Sequence, residues 1–160
     1  MYPFSILQGM TEEDKAIEQI IAFLTEEAVG DIRYNLKDRQ MAAFILAACF
    51  IDLLGAYRYN ISKNRKRWAA IVDDYMYPGK GKILFTTLRS DLVHNYSLQQ
   101  FQVIKNELLT DKHPENAISL LTFFTDLEIA FNTVIIELRT PGSDARKNAL
   151  AWNKKYPINK

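Results

Sequence analysis

A chain of 160 residues with 48% hydrophobic and 24% charged content is long enough for one domain with its own core and has the make-up of an ordinary globule. Its net charge of +1 excludes a bulk electrostatic pull toward nucleic acid, so any such pull must come from local patches. The single cysteine, Cys49, excludes a disulfide framework within the chain, and no Cys/His spacing fits zinc, so no metal or other cofactor is expected.

The expected compartment is reducing and cytoplasmic: the N-terminus lacks the basic-then-apolar pattern of a secretion signal. Residues 1–10 show no clear period. Thr11 followed by Glu12, Glu13 and Asp14 reads as a helix start with a capping box, and Ile17, Ile20, Ile21, Leu24 and Ala28 repeat at helical spacing. Gly30 is the expected stop. Glu12, Glu13, Glu18, Glu26 and Glu27 make an acidic, solvated face. Residues 31–37 read as a short connection with room for a helical turn.

A long helix is predicted over 38–57, apolar nearly all round, as in the central helix of a bundle. The apolar run 41–51 is too short to span a bilayer and Asp52 follows it, so no membrane partner is expected. Cys49 reads as a small buried hydrophobe. Asp52 interrupts the apolar pattern. If buried it needs a partner, and Arg89 is the expected one; the alternative is that it faces solvent near the helix end.

Residues 57–67, YRYNISKNRKR, carry Arg58, Lys63, Arg65, Lys66 and Arg67 without one acid. Interleaved with Tyr57 and Tyr59, they could track a phosphate backbone and stack on bases; the plain alternative is a solvated loop. Asn64 is the expected cap of the next helix, whose stripe is Trp68, Ile71, Val72, Tyr75 and Met76, and Pro78-Gly79-Lys80-Gly81 ends it.

The following helix starts near Lys82 and runs into LFTTLRSDLVHNYS, where Arg89, Asp91, His94, Asn95, Tyr96 and Ser97 fall close together. Histidine exchanges a proton near neutral pH, and arginine offers a fork of donors to phosphate, so the pair suits chemistry on a phosphodiester. In a straight helix, positions five apart point about 140° from each other. Arg89 and His94 therefore need a bend in the chain, or a second subunit about a two-fold axis, to meet at one phosphate.

Ser97 is the expected cap of a helix through Leu98, Phe101, Ile104 and Leu108, and His113 sits in a loop after it. The last long helix is predicted from 114 or 115 to Arg139. Residues 143–160 read as a basic tail on which Trp152 docks a short helix. There is no Gly-rich phosphate loop and no serine nucleophile signature. The expected fold class is all-α: an up-and-down bundle of four or five main helices in a single domain, with its core over about 12–139.

Arg89-Ser90-Asp91-Leu92-Val93-His94 resembles the arginine, four-to-six residues, histidine motif of HEPN domains, small helical bundles found beside nucleotidyltransferases and in toxin–antitoxin and anti-phage systems. The alignable part runs over roughly 38–139 and includes the helix ending FIDLLGAY. The resemblance implies an all-helical homodimer, often a metal-independent endoribonuclease, with an antitoxin or nucleotidyltransferase as a further partner. Its catalytic pair would fall on Arg89 and His94. Read from the residues themselves, Asp91 or Asn95 could orient the imidazole or hold the strand, Tyr96 could stack on a base, and Asp52 could position Arg89. The departure is Ser90, where active members usually carry Asn, Asp or His. Two functions therefore stand side by side: RNA cleavage or binding, and a non-catalytic dimeric module that binds a partner protein or a nucleotide.

Overall fold

The structure, a computed structural model, describes residues 9–90, 102–104 and 117–158. Its centre is helix α3, Gln40–Tyr59, which buries Phe44, Ala47, Ala48, Ile51 and Leu54, among others. Neighbours pack around it: α2 (Gly30–Leu36), α4 (Asn64–Ile71), α6 (Leu120–Arg139) and α7 (Asp144–Lys155). This is the physical reason the sequence of α3 shows little amphipathic pattern. By length and composition α3 is also long and apolar enough to cross a membrane. Here it is the core helix of an all-α fold. Asn60, in the left-handed region at φ 53°, ends it, a role asparagine tolerates better than most residues.

Helix α1, Glu12–Phe23, opens as expected. Thr11 Oγ1 accepts from the Asp14 amide at 3.1 Å and the Asp14 carboxylate accepts from the Thr11 amide at 3.1 Å. The Thr11 hydroxyl, donating to the Asp14 carboxylate at 2.7 Å, then the Arg146 guanidinium and the Thr11 amide, hold that carboxyl below the usual range. Gly30 does not stop the helix. The chain passes through a π-helical turn, Leu24–Val29, straight into α2, and Gly30 keeps right-handed helical angles. Leu24, Val29 and Ile32 are buried, and this burial outweighs the roughly 1 kcal/mol cost of a helical glycine. Residues 31–37, read as a connection, are therefore mostly helix.

Two glycines fix how the next elements lie. A Cβ at Gly55 would come within 2.6 Å of the Arg67 carbonyl oxygen, and one at Gly81 within 2.3 Å of the Ala69 carbonyl oxygen. Glycine at these positions lets α4 rest directly on α3, and α5 (Gly81–Leu84) rest on α4. Trp68, fully buried, donates its indole N–H to the Ala48 carbonyl at 2.9 Å. Asn64 is the first helical residue of α4 rather than its cap; Lys63 holds the cap position without a side-chain bond. A π-helical turn, Val72–Met76, extends α4, and Gly79 at φ 74° makes the turn that follows.

Where a helix was predicted through Leu98–Leu108, residues Gln102–Ile104 instead form β1, paired in parallel with β2, Ala117–Ser119. The pairing delays the last long helix. Ser119 is extended and caps α6 by accepting from the Thr122 amide at 3.2 Å, so the helix starts at Leu120 rather than 114 or 115. The stretch expected as a basic tail contains α7, capped by Ser143 and burying Ala145, Arg146 and Ala149. It packs on α3, α1 and α6, so the core reaches beyond residue 139.

Candidate nucleic-acid interface

Arg89 lies at the end of a π-helical turn, Phe85–Arg89, that continues α5. In this turn the Ser90 amide donates to the Phe85 carbonyl, a bond across five residues. Thr86 and Thr87 donate their hydroxyls back to the carbonyls of Lys82 (3.0 Å) and Ile83 (2.9 Å), a habit that bends helices. The Phe85 ring meets Trp68 edge-on, with centroids 5.8 Å apart, and the Arg89 guanidinium lies 5.3 Å from the Phe85 centroid. A buried tryptophan thus fixes a phenylalanine, which carries the arginine. Arg89 Nε is buried and has no hydrogen-bond partner among the described residues.

Asp52 does not meet Arg89. Its two oxygens accept from Arg67 Nε at 2.8 Å and Nη2 at 2.9 Å, with the side chains only 18% and 15% exposed. Arg67 Nη1 also donates to the carbonyls of Ile61 and Ser62, and its guanidinium lies 5.3 Å from the Trp152 ring. The reason is the close approach at Gly55, which brings the Arg67 backbone against α3 less than one turn beyond Asp52. A planar fork then matches a carboxylate bidentately.

Cys49 is exposed, not buried. Partial burial pushes its thiol pKa up, the positive charge of Arg89 works against that, and Asp52 adds to it. Cys49 thus lies within electrostatic reach of both Arg89 and Asp52.

The basic stretch divides. Arg58 donates to the Tyr75 hydroxyl at 2.6 Å and pairs with Glu137, while Tyr75 also donates to Glu137. Burial works against the charge of Arg58, but Tyr75 and Glu137 more than offset it, so its pKa lies above the ordinary value. Arg58 and Arg67 are therefore internal ties. Tyr57 is buried, and Tyr59 donates to the Asp74 carboxylate, so neither ring is an open stacking platform. Burial and the Asp74 carboxylate push the Tyr59 hydroxyl pKa up. Lys63, Arg65 and Lys66 remain exposed at the start of α4.

Arg65 and Lys66 line an open cleft of about 620 Å³ together with Ala69, Ala70, Asp73, Asp74 and Lys82. Lys82, exposed on α5, was not among the nominated residues. No local pattern in the sequence singles it out; it is found through the packing of α5 on α4, which sets it on the cleft.

Of the motif, Arg89 and Ser90 are described, both half-buried. Asp91, His94, Asn95, Tyr96 and Ser97 lie outside the described residues, as does His113. Among the described residues no three His, Cys, Asp or Glu side chains group as metal ligands would. No family model matches this chain, and no curated protein or solved structure is significantly similar to it.

Proposed function

We propose that this is an RNA-directed protein of the HEPN type, a metal-independent endoribonuclease with Arg89 and His94 as its catalytic pair. The observation that carries the reading is the state of Arg89. Asp52, the acid that could have neutralised it, is satisfied by Arg67, and Arg89 Nε is buried without a partner among the described residues. Buried polar groups are nearly always bonded, so such a donor calls for an acceptor, and a phosphate oxygen supplies one.

In the proposed reaction His94 removes the proton from a ribose 2′-hydroxyl. The 2′-oxygen attacks the adjacent phosphorus, and the bond to the 5′-oxygen breaks, that oxygen taking a proton from water. Arg89 stabilises the charge that grows on the phosphate oxygens. Positioned base catalysis of this kind is worth roughly 10²–10⁴-fold. Products carry 2′,3′-cyclic phosphate and 5′-hydroxyl ends. A homodimeric cleft, and a role in a toxin–antitoxin or defence system with an antitoxin or nucleotidyltransferase partner, belong to the same reading.

The test is cleavage of end-labelled RNA in the presence of EDTA by wild type, Arg89→Ala and His94→Ala, with an all-deoxy strand as control. Cleavage by wild type alone, leaving cyclic phosphate ends, is expected. Equal cleavage by all three proteins, or none by any, removes the nuclease reading.

One observation favours a second reading, a non-catalytic interaction module: Arg89 packs over Phe85, a placement that also serves structure. In that case Arg89→Ala lowers the melting temperature clearly, whereas a site residue leaves it nearly unchanged.

A further inference from the structure

The groove between α4 and α5 has no part in the chemistry above, yet its side chains are arranged for an anion. One helix face supplies Arg65, Lys66, Ala69, Ala70, Asp73 and Asp74, and the neighbouring element supplies Lys82. The floor is two alanines, and Gly81 lets α5 approach so closely that a Cβ there would strike Ala69. Lys82 is thereby held beside the middle of the groove.

The charges are graded along it. Arg65 and Lys66 stand at one end, and Asp73 and Asp74 stand about 12 Å further along the helix. Both acids already face donors: Asp73 accepts from the Gly81 amide at 2.7 Å, and Asp74 accepts from the Tyr59 hydroxyl. Arg65, Lys66 and Lys82 pair with no described acid. Three cations from two elements thus face an open cleft against two carboxylates that are already hydrogen-bonded at its far end, and Arg65 and Lys66 do so where basic side chains oppose the dipole at the start of α4. Lys82 and Arg89 share one helical rod, about 10 Å apart along its axis, with Phe85 between them.

We infer that this groove is a binding track for a single-stranded phosphodiester backbone, in which Arg65, Lys66 and Lys82 each take a phosphate and lead the strand to Arg89. At the spacing of stacked nucleotides, about 3.4 Å per phosphate, Lys82 and Arg89 stand about three phosphates apart. The inference rests on the RNA reading for the strand's purpose, but phosphate contacts alone do not distinguish RNA from DNA. The track therefore binds a deoxy strand that the nuclease chemistry leaves uncut.

The experiment is fluorescence anisotropy with a labelled 12-nucleotide deoxy strand and its ribose counterpart in EDTA, from 50 to 200 mM KCl. Wild type is compared with the triple variant Arg65→Ala/Lys66→Ala/Lys82→Ala and with Lys82→Glu. Lys147→Glu, an exposed change on α7, is the control. Loss of each phosphate contact lowers the slope of log affinity against log salt by about 0.7, so the triple variant loses about 2. All three replaced side chains are exposed, so its melting temperature should move by no more than about 2 °C. Wild-type affinity and slope in the triple variant, an equal loss in Lys147→Glu, or no binding of either strand by wild type at 50 mM overturns the track. The outcomes separate from those of the cleavage assay. Deoxy-strand binding that the triple variant loses, with RNA never cut by wild type, leaves the track and removes the nuclease. RNA cut by a triple variant of undiminished affinity does the reverse.

Discussion

Arg67 and Arg89 carry the same guanidinium into the same side of the bundle and meet opposite fates. Arg67 is satisfied on every side: two bonds to Asp52, two backbone carbonyls and the face of Trp152. Arg89 has an aromatic face beneath it and an Nε with no bond among the described residues. A fully bonded cation at a helix junction is structural cement, and it contributes specificity of packing more than net stability. A half-buried cation with an unused donor costs stability where it stands, and such a cost persists where a ligand offsets it. The difference teaches where to look for function: at the arginine whose bonds are incomplete, not in the stretch with the most charges.

The sharpest break of this contrast is at the ion pair. Asp52→Ala should cost about 3 kcal/mol in urea unfolding, because it strands a largely buried guanidinium. A loss within 0.5 kcal/mol would contradict the cement role. Next is the contact that creates the pair. Gly55→Ala inserts a methyl 2.6 Å from the Arg67 carbonyl oxygen, and should cost about 2 kcal/mol and weaken the Asp52–Arg67 contact with it. A double-mutant cycle with Asp52→Ala measures that coupling; strictly additive losses would separate the two features.

Arg89→Ala should change stability less than either, by no more than about 0.5 kcal/mol, because the lost aromatic contact is offset by removal of the unbonded donor. A loss as large as that at Asp52 would place both arginines in the same structural class. The smallest effect concerns acid. The folded-state pKa of Asp14 lies below its ordinary 3.8, so its contribution is present above that value and is lost as pH falls through the folded pKa. Asp14→Asn should therefore lower the melting temperature slightly at pH 7 and by less at a pH below 3.8. An equal drop at both values would show that its charge plays no part.

Much of the fold was legible because its signals are local. The Thr11 capping box, the period of α1 and the all-round apolar run of α3 each depend on residues within a few turns. The need of Asp52 for a partner was legible too, but its choice was not. Arg67 lies 15 residues away across a helix junction, and only the close packing at Gly55 selects it over Arg89. The basic stretch misled for a related reason. Charge in a sequence counts the same whether it faces water or the interior, and the partners that turn Arg58 inward, Tyr75 and Glu137, come from distant elements. Gly30 failed as a stop because burial of Val29 and Ile32 on either side outweighed its local preference. The π-helical turns have no compositional mark, since they arise where packing demands an extra residue per turn.

The exposed thiol on α3 has a practical consequence. Cys49 is the chain's sole cysteine, so a maleimide dye or spin label attaches at one known position without any prior mutagenesis. That position is close enough to Arg89 for the two to feel each other's charge. A probe there would report an arriving strand or a second copy of the chain as a change in colour, mobility or distance.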